Sequence, residues 1–269
     1  MTSFKTLALI AAATLSLNAA AQTDHRPDTE KMGLKGAVKS VSESINNASA
    51  VNYTFDDHGF RTDGEQRYVY DSQNRLSMAS DKNGKYIFEY NSKGNLIEYS
   101  QNSEAGYYRE NYTYDENNNM TACTASNSKV TFFYDENGRL IRTNDAYGNI
   151  LKKFTYTADG KVATERNNNA LITYAYDTKG RQISCVTESD DEKTEETITY
   201  DKDGNISARV VTTNTKAGKT VENHSYTVDT TGNWTKDVVS VQSPGGKSEK
   251  VYTRTIEYFG AARQLFLLK

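Results

Sequence analysis

The chain opens on one apolar block, Leu7 to Leu17, and then changes character. From about residue 50, rings recur in the order aromatic-x-aromatic, each time followed by a short polar stretch and a return to apolar residues. Aligned on the residue after the second ring, the column reads Asp56, Asp71, Asn91, Asp115, Asp135, Thr157, Asp177, Asp201 and Asp229. Three residues later stand Gly59, Asn74, Gly94, Asn118, Gly138, Gly160, Gly180, Gly204 and Gly232, the two residue types that best tolerate φ > 0. The ring before the Asp column is Phe55, Tyr70, Tyr90, Tyr114, Tyr134, Tyr156, Tyr176 or Tyr200, with Val228 in the last unit.

This pattern predicts nine β-hairpins. Side chains of a strand alternate with period two, so the two rings of each step share a face. The Asp accepts from the backbone amides ahead of it and starts a turn. Gly or Asn then takes the left-handed position of a type I turn with a G1 bulge. The return strand carries Leu76, Leu96, Met120, Leu140, Val162, Ile206 or Trp234 five residues after the Asp column. Gln182 interrupts that column, and Ile183 is expected to replace it through a bulge. Seven of the eight intervals between Asp positions are even, which preserves the face of every side chain. The odd one, 15 residues between Asp56 and Asp71, predicts a distorted hairpin there.

Composition supports an all-β chain of repetitive antiparallel hairpins forming one long twisted or curling sheet. Tyrosine is abundant at 19 residues, against two Pro, and 11% aromatics exclude a disordered chain. The formal charge of −3, with no basic run, argues against nucleic acid or anionic lipid as partners. Residues 1–21 read as a signal peptide: Lys5 gives the positive start, Leu7–Leu17 the apolar stretch, and Ala19-Ala20-Ala21 the small-residue site. Cleavage between Ala21 and Gln22 is expected, and no Cys there suggests a lipoprotein anchor. Export to the periplasm or beyond follows, with no membrane span. The expected organisation is then a polar segment 22–32, a repeat domain 33–259 and an extension 260–269 that caps the sheet together with an N-terminal strand near Val38–Ile45.

Tyr174-Ala175-Tyr176-Asp177-Thr178-Lys179-Gly180-Arg181 and Phe132-Phe133-Tyr134-Asp135-Glu136-Asn137-Gly138-Arg139-Leu140 closely resemble the YD-repeat (Rhs-repeat) consensus, Y-x-Y-D-x-x-G-R/N-L. The resemblance covers roughly residues 50–235. The flanks, Gly33 to Val41 and Gly232-Asn233-Trp234 with Arg254 to Tyr258, resemble small exported members of Bacteroidetes type. In large members the repeats spiral into a shell around a toxin, closed by a self-cleaving Asp-Pro segment. Here the prolines are Pro27 and Pro244, preceded by Arg26 and Ser243, so the resemblance implies a member without toxin processing.

Catalytic patterns are scarce. His25, His58 and His224 share no metal-ligand spacing, and no nucleophile elbow is present. Ser243-Pro244-Gly245-Gly246-Lys247 lacks the Walker spacing. Asp201-Lys202-Asp203-Gly204-Asn205 begins like a calcium loop, but its twelfth position is Thr212 where a bidentate Glu belongs. No catalytic residue, metal site or cofactor is therefore expected. Cys123 and Cys185 each lie eight residues after an Asp of the column, three units apart, so an open sheet keeps them as thiols without a disulfide. The expected function is a non-enzymatic, monomeric binding module for a glycan or an envelope protein. The alternative is an envelope glycan hydrolase. A concave site with two or more carboxylates on strand positions would favour the enzyme, and a broad aromatic groove without convergent acids would favour binding.

Overall fold

The computed structural model describes residues 24–126 and 128–260. The leader with Ala21 and Gln22, and Leu265 to Leu268, lie outside the described residues. Apart from one helical turn, α1 (Asp28–Lys31), the regular structure is antiparallel β. The repeat region comprises two compact units, one built from residues 64–168 and one from residues 26–63 and 169–260.

The unit of residues 64–168 is a meander of ten strands. These are β3 (Arg67–Tyr70), β4 (Leu76–Asp81), β5 (Gly84–Tyr90), β6 (Leu96–Ser103), β7 (Gly106–Tyr114), β8 (Met120–Ala125), β9 (Ser128–Tyr134), β10 (Leu140–Asn144), β11 (Ile150–Tyr156) and β12 (Val162–Asn167). Each pairs with the next. The other unit runs through β13 (Leu171–Tyr176), β14 (Gln182–Glu188), β15 (Glu192–Tyr200), β16 (Ile206–Thr215), β17 (Gly218–Val228), β18 (Trp234–Ser243) and β19 (Gly246–Tyr258). Strand β1 (Val38–Ile45) then pairs β19 on one side and β2 (Val51–Thr54) on the other. The expected N-terminal strand is thus present with the predicted bounds. It lies inside the ladder, however, not over an end of it, because β2 follows in sequence and takes its free side.

All nine expected turns form. The residue three after the Asp column has φ between 64° and 88° in every one, and its N–H donates to the carbonyl of the column residue. The carboxylate does what the sequence suggests: Asp135 Oδ1 accepts from Asn137 N at 3.0 Å and Arg139 N at 2.9 Å. A tenth turn of the same kind lies at Asp145, whose Oδ1 accepts from Tyr147 N and Asn149 N. The opposite ends of several hairpins close with two-residue loops, as between Ser103 and Gly106 or Thr215 and Gly218. The odd interval has the expected consequence. After Asp56 the return strand shrinks to a single bridge, Phe55 to Arg61.

A bulge follows the turns and sets which side chains face inward. In β5–β6, Tyr90 opposes Leu96 and Glu89 opposes Glu98, so Ile97 is the extra residue. Consequently the residues five and eight after the Asp share a face, although plain alternation would separate them. One expectation is corrected here. Gln182 is itself buried opposite Tyr176 and keeps its column, while Ile183 is the bulged residue.

Neighbouring repeats interlock through three residues of the consensus. Arg139 pairs with Asp135 of its own turn at 2.7 Å and lies over the Tyr156 ring, 4.7 Å from its centroid. The Tyr156 hydroxyl donates to the Leu140 carbonyl at 2.6 Å. Arg75 with Tyr90 and Arg181 with Tyr200 repeat the arrangement. This gives the Arg of the consensus a physical reason: one guanidinium closes its own turn and packs the next repeat's ring.

Candidate functional site

The inner faces of the two units are filled differently. In residues 64–168 the face is mainly apolar: Phe88, Tyr99, Tyr112, Cys123, Phe132 and Phe154 are buried on it. Its polar centre is Glu110, 1% exposed, whose oxygens accept from the Tyr108 and Tyr112 hydroxyls. His25 lies against Tyr99, centroids 4.3 Å apart, with Nε2 3.3 Å from the Tyr112 hydroxyl. Burial next to Glu110 pushes the Cys123 thiol up to about 12, so it is an inert packing group.

In the other unit the same face carries charge. Glu196, Arg209, His224, Asp237, Arg254 and Glu43 follow one another on β15, β16, β17, β18, β19 and β1. They are joined in pairs: Arg209 to Glu196, His224 Nδ1 to Asp237 Oδ2 at 2.9 Å, and Arg254 to Glu43. Arg254 also lies over the Trp234 ring, 3.7 Å from its centroid. Burial pulls the Arg254 guanidinium below its ordinary range, with Glu43 opposing it. Burial acts likewise on Arg209, but there the bond to Glu196 prevails and the pKa rises.

The part of this ladder on β17, β18, β19 and β1 floors a cleft of about 900 Å³ within the unit. Trp234, Tyr53 and Tyr252 supply aromatic wall, Val239 and Val241 apolar floor, and Glu222 a half-exposed carboxylate. Glu43, Glu222 and Asp237 are therefore three carboxylates on strand positions in one concavity, beside His224. Two polar atoms of the floor, His224 Nε2 and Asp237 Oδ1, have no hydrogen-bond partner. A carboxylate only accepts, so in its bond to Asp237 the His224 ring donates from Nδ1, and Nε2 faces Glu222 Oε2 at 3.8 Å.

Sequence reasoning placed His224 on a strand but did not join it to Asp237. The signal was present in two columns, five before and eight after the Asp position. The first contains Glu110, Lys152, Glu196 and His224, and the second Cys123, Thr143, Glu165, Cys185, Arg209 and Asp237. The bulge puts these columns on one face, and across the unbulged pairs β14–β15 and β16–β17 they stand directly opposite, as with Cys185 and Glu196 or Arg209 and His224. The expected turn residues Gly59, Gly94, Gly138, Gly160, Gly180, Gly204 and Gly232 are structural in position and lie outside the cleft. At Asp201 the carboxylate is engaged by Asp203 N and Asn205 N. One group of possible metal ligands that the sequence did not suggest, Asp56, Asp57 and His58, sits in the first turn. Cys185 lies on β14 and, like Cys123, is a thiol. Among the described residues, no helix is long and apolar enough to cross a membrane.

Comparison with known proteins adds one family match: residues 114–150 fit the RHS Repeat model. No curated protein matches the chain. Among solved structures, that of TcdB2-TccC3-TEV is 16% identical with a TM-score of 0.42, over 81% of this chain and 14% of that one. TcdB2-TccC3 without its hypervariable C-terminal region is 13% identical with a TM-score of 0.43, over 78% and 14%. A porin-like protein from Bacteroides uniformis is 15% identical with a TM-score of 0.35, over 83% and 99%. The chain thus spans about 14% of the length of the first two. Residues 114–150 contain the turns at Asp115, Asp135 and Asp145, and the remaining turns repeat their hydrogen bonds, so the turn of the matched RHS Repeat segment recurs along the described residues.

Proposed function

We propose that the protein is an exported, non-enzymatic binding module that takes a glycan, or a segment of an envelope protein, in the cleft between β17, β18, β19, β1 and β2. The observation that supports this most is the make-up of that cleft. Its volume of about 900 Å³ suits a small ligand, and its wall combines Trp234, Tyr53 and Tyr252 with convergent polar groups. Two of its acids already have partners, Glu43 in Arg254 and Asp237 in the His224 ring. Such pairs orient a ligand's hydroxyl or amide groups without presenting a free general acid. Export rests on the leader read in residues 1–21, and N-terminal sequencing of the secreted chain is expected to begin at Gln22.

The test is a glycan array with the untagged mature chain, followed by calorimetry on each hit. Saturable 1:1 binding that Tyr252→Ala or Tyr53→Ala weakens supports the proposal. Absence of binding to glycans and to extracted envelope proteins opposes it. A second reading, an envelope glycan hydrolase, is favoured by the three strand-borne carboxylates Glu43, Glu222 and Asp237 in one concavity. Release of new reducing ends from a bound glycan, lost in Glu222→Gln, would replace binding by hydrolysis.

A further inference from the structure

We propose that His224 and Glu222 form a binding site for one divalent transition-metal ion of the zinc type on the wall of the cleft. The two side chains stand two residues apart on β17 and therefore on one face of the strand. His224 Nε2 and Glu222 Oε2 are 3.8 Å apart. An ion bound at about 2.0–2.2 Å from a nitrogen and an oxygen bridges that separation with an open angle.

Three features distinguish this pair from a casual neighbouring of side chains. The His224 side chain is 1% exposed, yet its Nε2 has no hydrogen-bond partner. A buried polar atom left so costs stability unless something fills the position. Next, Asp237 Oδ2 lies 2.9 Å from Nδ1 and engages that side of the ring, which turns Nε2 toward Glu222. Carboxylate–histidine–metal relays have this arrangement, and the second carboxylate raises the basicity of the ligating nitrogen. Finally, the Glu222 side chain is half-exposed, while the His224 ring stacks on Tyr226, centroids 5.9 Å apart. Arg209, opposite His224 in the ladder, is neutralised by Glu196 and does not oppose a cation uncompensated. An imidazole nitrogen with one carboxylate selects zinc, nickel or copper over calcium or magnesium. With two protein ligands, the remaining positions stay open to water or to an oxygen of a molecule in the cleft.

The site does not depend on the identity of the cleft's ligand, and its test needs only metal. The untagged mature chain, freed of metal by chelation, is titrated with Zn²⁺ by calorimetry, and its thermal midpoint is followed. One equivalent should bind, raise the midpoint, and persist in millimolar Mg²⁺ or Ca²⁺. His224→Gln should abolish that equivalent. Glu222→Gln, at a half-exposed position, should weaken it at least tenfold. Asp237→Asn should weaken it about 10–100-fold through the lost relay. His58→Gln should leave it unchanged, since Asp56, Asp57 and His58 form a separate group in the first turn. No zinc binding, or binding that survives both His224→Gln and Glu222→Gln, would overturn the proposal and leave His224 and Glu222 as an ordinary imidazole–carboxylate pair.

Discussion

A single carboxylate organises each turn. Asp135 accepts two backbone amides on Oδ1 and the Arg139 guanidinium on Oδ2. These bonds, the Arg139 amide first, hold its carboxyl below the usual range, and Asp71, Asp177 and Asp201 follow the same cause. A depressed folded pKa means stability that is present above the unfolded value, near 3.8, and lost as pH falls through the folded one. Thermal midpoints should therefore decline below pH 4, and Asp135→Asn should flatten that decline while lowering the midpoint at pH 7. The glycine of the turn answers to backbone geometry. At Gly138, φ is +74° and an added Cβ meets nothing within 4 Å, so Gly138→Ala should cost about 1 kcal/mol from conformation alone. At Gly59 the same Cβ would meet Thr29 Oγ1 at 2.1 Å and Pro27 Cβ at 3.2 Å, so Gly59→Ala should cost distinctly more. Urea midpoints of the two variants would rank them.

The hairpin is where sequence and structure agree most closely. Spacing and turn chemistry are local, and each Asp-x-x-Gly carries its own hydrogen bonds, so the turns were legible one by one. The bulge was legible as a turn type, but its effect on facing was not. Counting by twos from Gln182 suggests that a polar residue has slipped out and Ile183 has moved in, whereas the bulge keeps Gln182 inside and turns Ile183 aside. The ring three before the Asp is the main core residue. Phe132 is 4% exposed, so Phe132→Ala should cost about 3–5 kcal/mol in chemical unfolding. The ring next to the Asp has a different role. Tyr134 donates to the Met120 carbonyl at 2.8 Å, and Tyr134→Phe should cost about 1 kcal/mol by the same measurement.

Across the molecule, one repeat serves two purposes according to what fills its inner columns. Residues 64–168 pack Phe88, Tyr99, Tyr112, Cys123, Phe132 and Phe154 there into a mainly apolar core, with Glu110 and the Lys152–Glu165 pair as its polar members. The strands from β15 to β19 with β1 place Glu, Arg, His and Asp there and make a charged face. That difference could not be read from periodicity, because it depends on which column faces which across the bulge. Part of it could have been read from composition once the columns were known: eight after the Asp stand Tyr99 and Cys123 in one unit and Arg209 and Asp237 in the other. Trp234 is the one tryptophan of the chain, it lines the cleft, and its ring is covered by Arg254. Its emission is therefore a direct reporter of the proposed ligand seat. The decisive measurement is a titration of the mature chain with its best glycan or envelope ligand, following Trp234 emission and calorimetric heat together. If the cleft is the seat, both signals saturate with the same Kd. Heat that saturates while Trp234 emission stays constant would place binding elsewhere and contradict the assignment of this cleft.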